Sequence, residues 1–242
     1  MSRSASLALV IGFFFIARSA PCQHFSLASD FSPAYNPSGA WSYGCEPVGG
    51  GPFTLYDDNT FIPAWYNTSQ LAGWERTDGW YVAKNVSDTP WFYDGRPVGG
   101  GIAIVEPGHT FIHPGSVKWS LARWTAPRTG TVSLFVALAR LEQVQGRMSD
   151  YAVLLNGVVF GGYSGHLTGF GTPGSSVDLT PPDLAVATGD SIDFAIGPGP
   201  DGSNTDATDV DVQIAYVPEP GSLVAVVFGF LSMSLIACGR RR

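Results

Sequence analysis

Short runs of alternating apolar and polar residues, each closed by a turn signal, occupy most of the chain beyond Trp80, and β-structure is the arrangement that buries such runs. Val132, Leu134, Val136 and Leu138 share one parity after the turn Pro127-Arg128-Thr129-Gly130. Ile192, Phe194 and Ile196 alternate about Asp193, while Val210, Val212, Ile214 and Tyr216 alternate with Asp211 and Gln213. Val117, Trp119 and Leu121 fall on one face, with Lys118 and Ser120 on the other. Tyr151, Val153 and Leu155 lead into Asn156-Gly157, a pair that accepts the two positive φ angles of a type I′ hairpin turn. The pattern predicts an all-β fold, an antiparallel β-sandwich of jelly-roll type. Only the stretch from Ala139 to Met148 departs from it and reads as a loop.

The segment 30–91 is less regular and holds five of the seven tryptophans: Trp41, Trp65, Trp74, Trp80 and Trp91. It also contains the first half of an echo. Trp41-Ser42-Tyr43 followed by Pro47-Val48-Gly49-Gly50-Gly51 returns as Trp91-Phe92-Tyr93 followed by Pro97-Val98-Gly99-Gly100-Gly101. One echo does not make a solenoid, which needs several units. It reads as two aromatic segments and Gly turns, each feeding a strand.

The two ends read as targeting segments. Arg3, the apolar run Leu7–Ala17 and the small residues Ser19 and Ala20 have the order of a signal peptide over residues 1–20, and the run is too short to span a bilayer. At the other end Pro218-Glu219-Pro220-Gly221 precedes the apolar stretch Leu223–Cys238, and the chain stops at Gly239-Arg240-Arg241-Arg242. As a helix that stretch would rise about 24 Å, slightly short of a hydrocarbon core, with the arginines on the cytoplasmic side. Residues 21–217 remain as one sandwich-sized domain.

Removing the ends sharpens the charge. Eight basic residues are left against twenty acidic ones between Asp30 and Glu219, a formal charge of −12. Such a surface repels phosphate backbones, so nucleic acid is excluded as a partner. Of the three cysteines, Cys238 lies in the apolar tail, and Cys22 and Cys45 either pair in an oxidising compartment or stay as thiols.

The order of the C-terminal elements resembles the PEP-CTERM sorting signal, with Pro218, Glu219, Pro220, Arg240, Arg241 and Arg242 in the motif positions. The resemblance implies recognition by an exosortase-type processing enzyme and a cell-surface or matrix destination in a bacterium that makes exopolysaccharide. A plain single-pass membrane anchor is the other reading of the same tail. Within the domain, Asn36-Pro37-Ser38-Gly39-Ala40-Trp41-Ser42-Tyr43-Gly44 and Arg123-Trp124-Thr125-Ala126-Pro127-Arg128-Thr129-Gly130 resemble motifs of a planctomycete-type group of exported proteins. That likeness implies a lectin-like or jelly-roll sandwich and brings no catalytic residues.

Candidate chemistry is sparse. Asp190, Asp193, Asp201, Asp206, Asp209 and Asp211 form the densest carboxylate group, in which a structural Ca2+ or a solvated acidic loop are the two readings; the spacing is not that of an EF-hand. His109 and His113 have no companions for a transition-metal site, and no nucleophile motif appears. Asp57/Asp58 or Glu75/Asp78 would serve a glycosidase only at a fixed separation across a cleft. The mixture in 65–91 is more telling: Trp65, Trp74 and Trp80 lie among Arg76 and Asp78, and rings beside polar groups suit sugar stacking. Those five residues are the candidate glycan contacts, against the alternative that the rings are core.

The expectation is an exported, non-enzymatic surface or matrix protein of structural or adhesive role. A carbohydrate-binding module of the exopolysaccharide matrix is the first alternative and a secreted hydrolase the second. No cofactor is expected beyond the Ca2+ just named.

Overall fold

The computed structural model describes residues 23–60, 62, 66–76, 80–94, 102–144, 146–169 and 174–218. The signal peptide and the apolar tail expected from the sequence lie outside these residues, as do Cys22, Trp65, Asp78 and the second triple glycine. Among the described residues no helix is long and apolar enough to cross a membrane. The compact unit runs from Gln23 to Val217.

That unit is all-β and antiparallel. In chain order the strands are β1 (His24–Ser26), β2 (Trp41–Pro47), β3 (Thr54–Leu55), β4 (Leu71–Arg76), β5 (Trp80–Asn85), β6 (Trp91–Asp94), β7 (Ile102–Val105) and β8 (Thr110–Pro114). They continue with β9 (Lys118–Thr125), β10 (Gly130–Arg140), β11 (Ser149–Leu155), β12 (Val158–Leu167), β13 (Ser176–Leu179), β14 (Leu184–Val186), β15 (Ser191–Gly197) and β16 (Thr208–Tyr216). One short helix, α1 (Leu27–Asp30), follows β1, and the Ser26 side chain caps it by accepting from the Ser29 amide.

Two sheets face each other. The first has the order β13-β10-β16-β8-β5-β4, with β1 added along β16 and β14 along β10; the second has the order β12-β11-β15-β9-β2-β3. Their inner faces meet in one core. Val132, Leu134, Val136 and Leu138 of β10 and Val210, Val212, Ile214 and Tyr216 of β16 point into it from the first sheet. Trp41 and Tyr43 of β2, Ala122 and Trp124 of β9, and Ile192, Phe194 and Ile196 of β15 meet them from the second. The parity expected for β10, β15 and β16 is therefore the parity observed. Asn156 and Gly157, at φ 52° and 76°, make the expected tight turn between β11 and β12.

The motif around Asn36 owes its order to a side chain that stands in for a strand. Its amide donates to the carbonyls of Tyr43 and Tyr56, both at 2.8 Å, and its carbonyl accepts from the Tyr43 amide at 2.8 Å. The echo has a structural counterpart in two Trp-led hairpins. β2 pairs with β3, which begins at Thr54 after the first triple glycine, and β6 pairs with β7, which begins at Ile102 after the second. The first hairpin fills the main core with Trp41 and Tyr43. The second contributes Trp91, Val105 and Tyr93 to a separate aromatic layer on the outer side of the first sheet, with Ile62, Leu71, Tyr81 and Phe111.

The second sheet is also covered on both faces. Leu121 of β9 lies on the outer side with Ala152, Leu154 and Ala195, and Phe53 and Trp119 pack against them. Glycine is required twice here, because a Cβ at Gly44 would collide with the Phe53 ring and one at Gly197 with the Trp119 indole. The face also holds charge. Arg123 grips Asp193 through two parallel bonds at 2.6 and 2.8 Å, and its guanidinium lies 4.1 Å from the centre of the Phe53 ring. Glu46, opposite Trp119 across β2 and β9, is 1% exposed. Neither its carboxylate oxygens nor the Trp119 Nε1 has a hydrogen-bond partner among the described residues. Burial above all, then the Asp193 charge, drives the Glu46 carboxyl from 4.5 up to about 7 against the opposing pull of Arg123.

Candidate functional site

The hairpin of β4 and β5 carries the residues that the sequence singled out, and their fates differ. In β4, Ala72 and Trp74 turn toward the main core, while Leu71 of the same strand joins the outer aromatic layer. Trp74 is thus a core residue, 7% exposed, with its Nε1 donating to the Ser32 carbonyl at 2.7 Å. This corrects the expectation of a Trp74 glycan contact: the ring and its one polar atom are both spent inside. Trp65 and Asp78 lie outside the described residues. Arg76 and Trp80 face each other across the hairpin, and both reach solvent.

Trp80 is 36% exposed and has a φ of +63°, a left-handed backbone that a bulky side chain rarely adopts. Such a conformation costs on the order of 1–3 kcal/mol and persists only where the surroundings enforce it. Here the indole lies nearly flat on the His113 imidazole, with centroids 4.7 Å apart and planes at 26°. Behind it a continuous series of rings runs inward: Tyr81 at 6.1 Å from Trp80, Phe111 at 5.7 Å from Tyr81, and Trp91 at 6.5 Å from Phe111. Tyr66 closes the layer through a 2.7 Å bond between its hydroxyl and that of Tyr81.

The electrostatics leave the base of the platform uncharged. His113 is pushed down to about 4 by burial first and by Arg140 second, with its bond to the Pro114 carbonyl acting the other way. It is neutral at physiological pH, and its Nδ1 donates to that carbonyl at 2.9 Å. Around the ring stand polar groups. Arg76 reaches Asp57 at 3.7 Å. Glu75, which faces Tyr81 across the hairpin and is 4% exposed, has its carboxyl raised to about 7, mainly by burial and then by Asp58. An exposed indole stacked on a buried imidazole, with a guanidinium opposite it across the hairpin, offers an apolar face to sugar C–H groups and a hydrogen-bonding group to their hydroxyls.

The carboxylates once grouped as a Ca2+ candidate are dispersed to separate partners. Asp193 is held by Arg123, Asp206 by Arg140 at 3.2 Å with both side chains fully buried, Asp201 by Arg147 at 3.4 Å, and Asp209 by His109 at 3.0 Å. Asp190 accepts from the Ala187 amide and from Asn156. Among the described residues no three His, Cys, Asp or Glu side chains converge as a metal set.

A cleft of about 230 Å3 lies elsewhere on the first sheet, between α1, the start of β8 and the outer face of β16. Ser26, Ser29, His109, Asp209, Asp211 and Gln213 supply its polar lining. Sequence reasoning noticed His109, Asp209 and Asp211 but had no means to join them, since the ion pair spans a separation of 100 residues.

No known protein-family profile matches this chain, and no curated protein matches it. Among solved structures it is similar to a family 35 carbohydrate-binding module from Clostridium thermocellum, with 11% identity, a TM-score of 0.27, and coverage of 60% of this chain and 98% of that one. A second likeness is to a Clostridium perfringens ZmpB structure containing CBM51-2 in complex with GlcNAc, with 11% identity, a TM-score of 0.34, and coverage of 73% and 40%. A third is to a Podospora anserina GH26-CBM35 β-(1,4)-mannanase, with 14% identity, a TM-score of 0.31 and coverage of 55% of this chain. The match spans only 29% of that mannanase's length. Nothing about the ligand of this chain follows from likenesses at these scores.

Proposed function

We propose that the chain is a non-enzymatic glycan-binding protein of the exported cell envelope, meeting matrix polysaccharide through the Trp80 ring. One observation carries this: a half-exposed tryptophan held in a strained backbone conformation and stacked on a neutral, buried histidine. A ring with only a packing role gains nothing from being kept at the surface at that energy. Arg76, opposite Trp80 across the hairpin and open to solvent, supplies the hydrogen-bonding group. The ring geometry carries the proposal; the distant likenesses to solved modules do not.

The exported setting is proposed from the ends, where the signal-peptide order and the Pro218-Glu219-Pro220 to Arg240-Arg241-Arg242 order imply sorting by an exosortase-type enzyme. A glycan array probed with the purified protein identifies the polysaccharide. Trp80→Ala then abolishes that binding while the thermal midpoint stays within a few degrees, because the ring is only half buried. Undiminished binding by a folded Trp80→Ala protein would remove the platform from consideration.

A further inference from the structure

The cleft beside β16 has a specific origin in the sheet. Two strands share one edge of β16: β8 pairs with it as far as Asp209, opposite Phe111, and β1 takes over at Gln213, opposite Ser26. Among the described residues Val210, Asp211 and Val212 have no strand partner on that side, because the chain leaves β1 there to form α1. The missing strand segment is the cleft. Its volume of about 230 Å3 falls below the roughly 300–1,000 Å3 of drug-sized sites, so it holds one small ring and not a chain.

We propose that this notch is a second binding site, for a single pyranose-sized unit rich in hydroxyl or amine donors and free of negative charge. The hydrogen-bond inventory of the walls decides the class. The Gln213 Nε2 is already spent, donating to Asp211 Oδ1 at 2.8 Å and to Ser26 Oγ at 3.3 Å. The His109 Nδ1 is spent on both Asp209 oxygens, at 3.2 and 3.0 Å. The nearby Lys84 ammonium donates to the Ala28 carbonyl at 2.6 Å. Acceptors are left over: among the described residues the second Asp211 oxygen and the Gln213 side-chain carbonyl have no partner. Apart from the second N–H of a protonated His109, a ligand that fits must bring the donors. Asp209, Asp211 and Glu106, all acting on His109, outnumber the His109 imidazole and the Lys84 ammonium and leave the notch negative, which disfavours uronate, sulfate and phosphate and favours an ammonium. The site stands independently of the Trp80 surface.

Binding of glucosamine, glucose and glucuronate to the full chain, followed by ligand-observed NMR and titration calorimetry at fixed ionic strength, tests this. Glucosamine is expected to bind more tightly than glucose by roughly tenfold, the value of one charge-assisted hydrogen bond, and glucuronate not at all. Asp211→Asn should weaken glucosamine by about tenfold and reduce it to the level of glucose. Ser29→Trp, at an exposed position on the wall, should block both sugars without shifting the thermal midpoint. Glucuronate binding as tightly as glucosamine would overturn the proposal. So would absence of binding by glucosamine and glucose, glucosamine affinity indifferent to Asp211→Asn, or undiminished binding by Ser29→Trp.

Discussion

Replacing Glu46 by glutamine keeps the shape of a buried side chain and removes only its capacity to ionise. In the native protein the carboxyl is 1% exposed, has no hydrogen-bond partner among the described residues, and is raised from 4.5 to about 7. The native state therefore holds the proton more tightly than the unfolded chain does. Stability is unaffected by this group well below pH 4.5, falls as pH rises through that value, and reaches its full loss above about pH 7. A shift from 4.5 to about 7 corresponds to about 3 kcal/mol, most of which develops between pH 5 and pH 8. Glu75, at about 7, and Asp206, at about 8, act in the same direction, and His113, lowered to about 4, acts in the opposite one; the three raised carboxyls outweigh the single imidazole, so the wild-type protein is more stable at pH 5 than at pH 8. Urea unfolding at the two pH values measures this directly. Glu46→Gln should match the wild type near pH 4 and exceed it at pH 8, cutting the pH 5 to pH 8 loss by about 2–3 kcal/mol. An unchanged loss in the variant would refute the reasoning, since it would mean that the carboxylate is solvated when charged.

Trp124→Ala empties a side chain that is fully buried between the sheets and rests edge-on against Phe25 at 5.4 Å; it should cost about 3–5 kcal/mol in the same urea assay, and an unaltered midpoint would place the ring outside the core. Mature protein recovered from the surface of the native cell should lack Leu223–Arg242; intact mass spectrometry that finds Arg242 on the surface form would leave a plain anchor as the reading.

Alternation made the inner strands legible because β10, β15 and β16 each bury one parity in the main core, and Val132, Ile192 and Val210 announce that parity in sequence. The same logic failed where a strand is covered twice. β4 buries Leu71 on one side and Trp74 on the other, so the segment reads as aperiodic although it is a regular strand. β9 hides Ser120, Ala122 and Trp124 on one face and Leu121 on the other, which masks which side is the core. At the candidate site, composition singled out the β4–β5 hairpin but could not separate the buried Trp74 from the exposed Trp80. The difference is the positive φ at Trp80, which arises from the surrounding fold and leaves no mark in residue type. The notch was invisible for a related reason: it exists because β1 and β8, far apart in sequence, share one edge.

β1 and β16 run antiparallel at the two limits of the sandwich, with His24 opposite Ala215 and the Gln23 carbonyl accepting from the Tyr216 amide at 3.0 Å. The chain consequently enters and leaves the fold at one corner. Tension applied between residues 23 and 217 does not shear the ladder; it opens it like a zipper, one bond at a time, and so at low force. Load that enters through a surface ring and leaves through either terminus must instead cross the sheets, where many bonds resist together. The domain is thus mechanically soft between its own ends and stiff between its ends and its face.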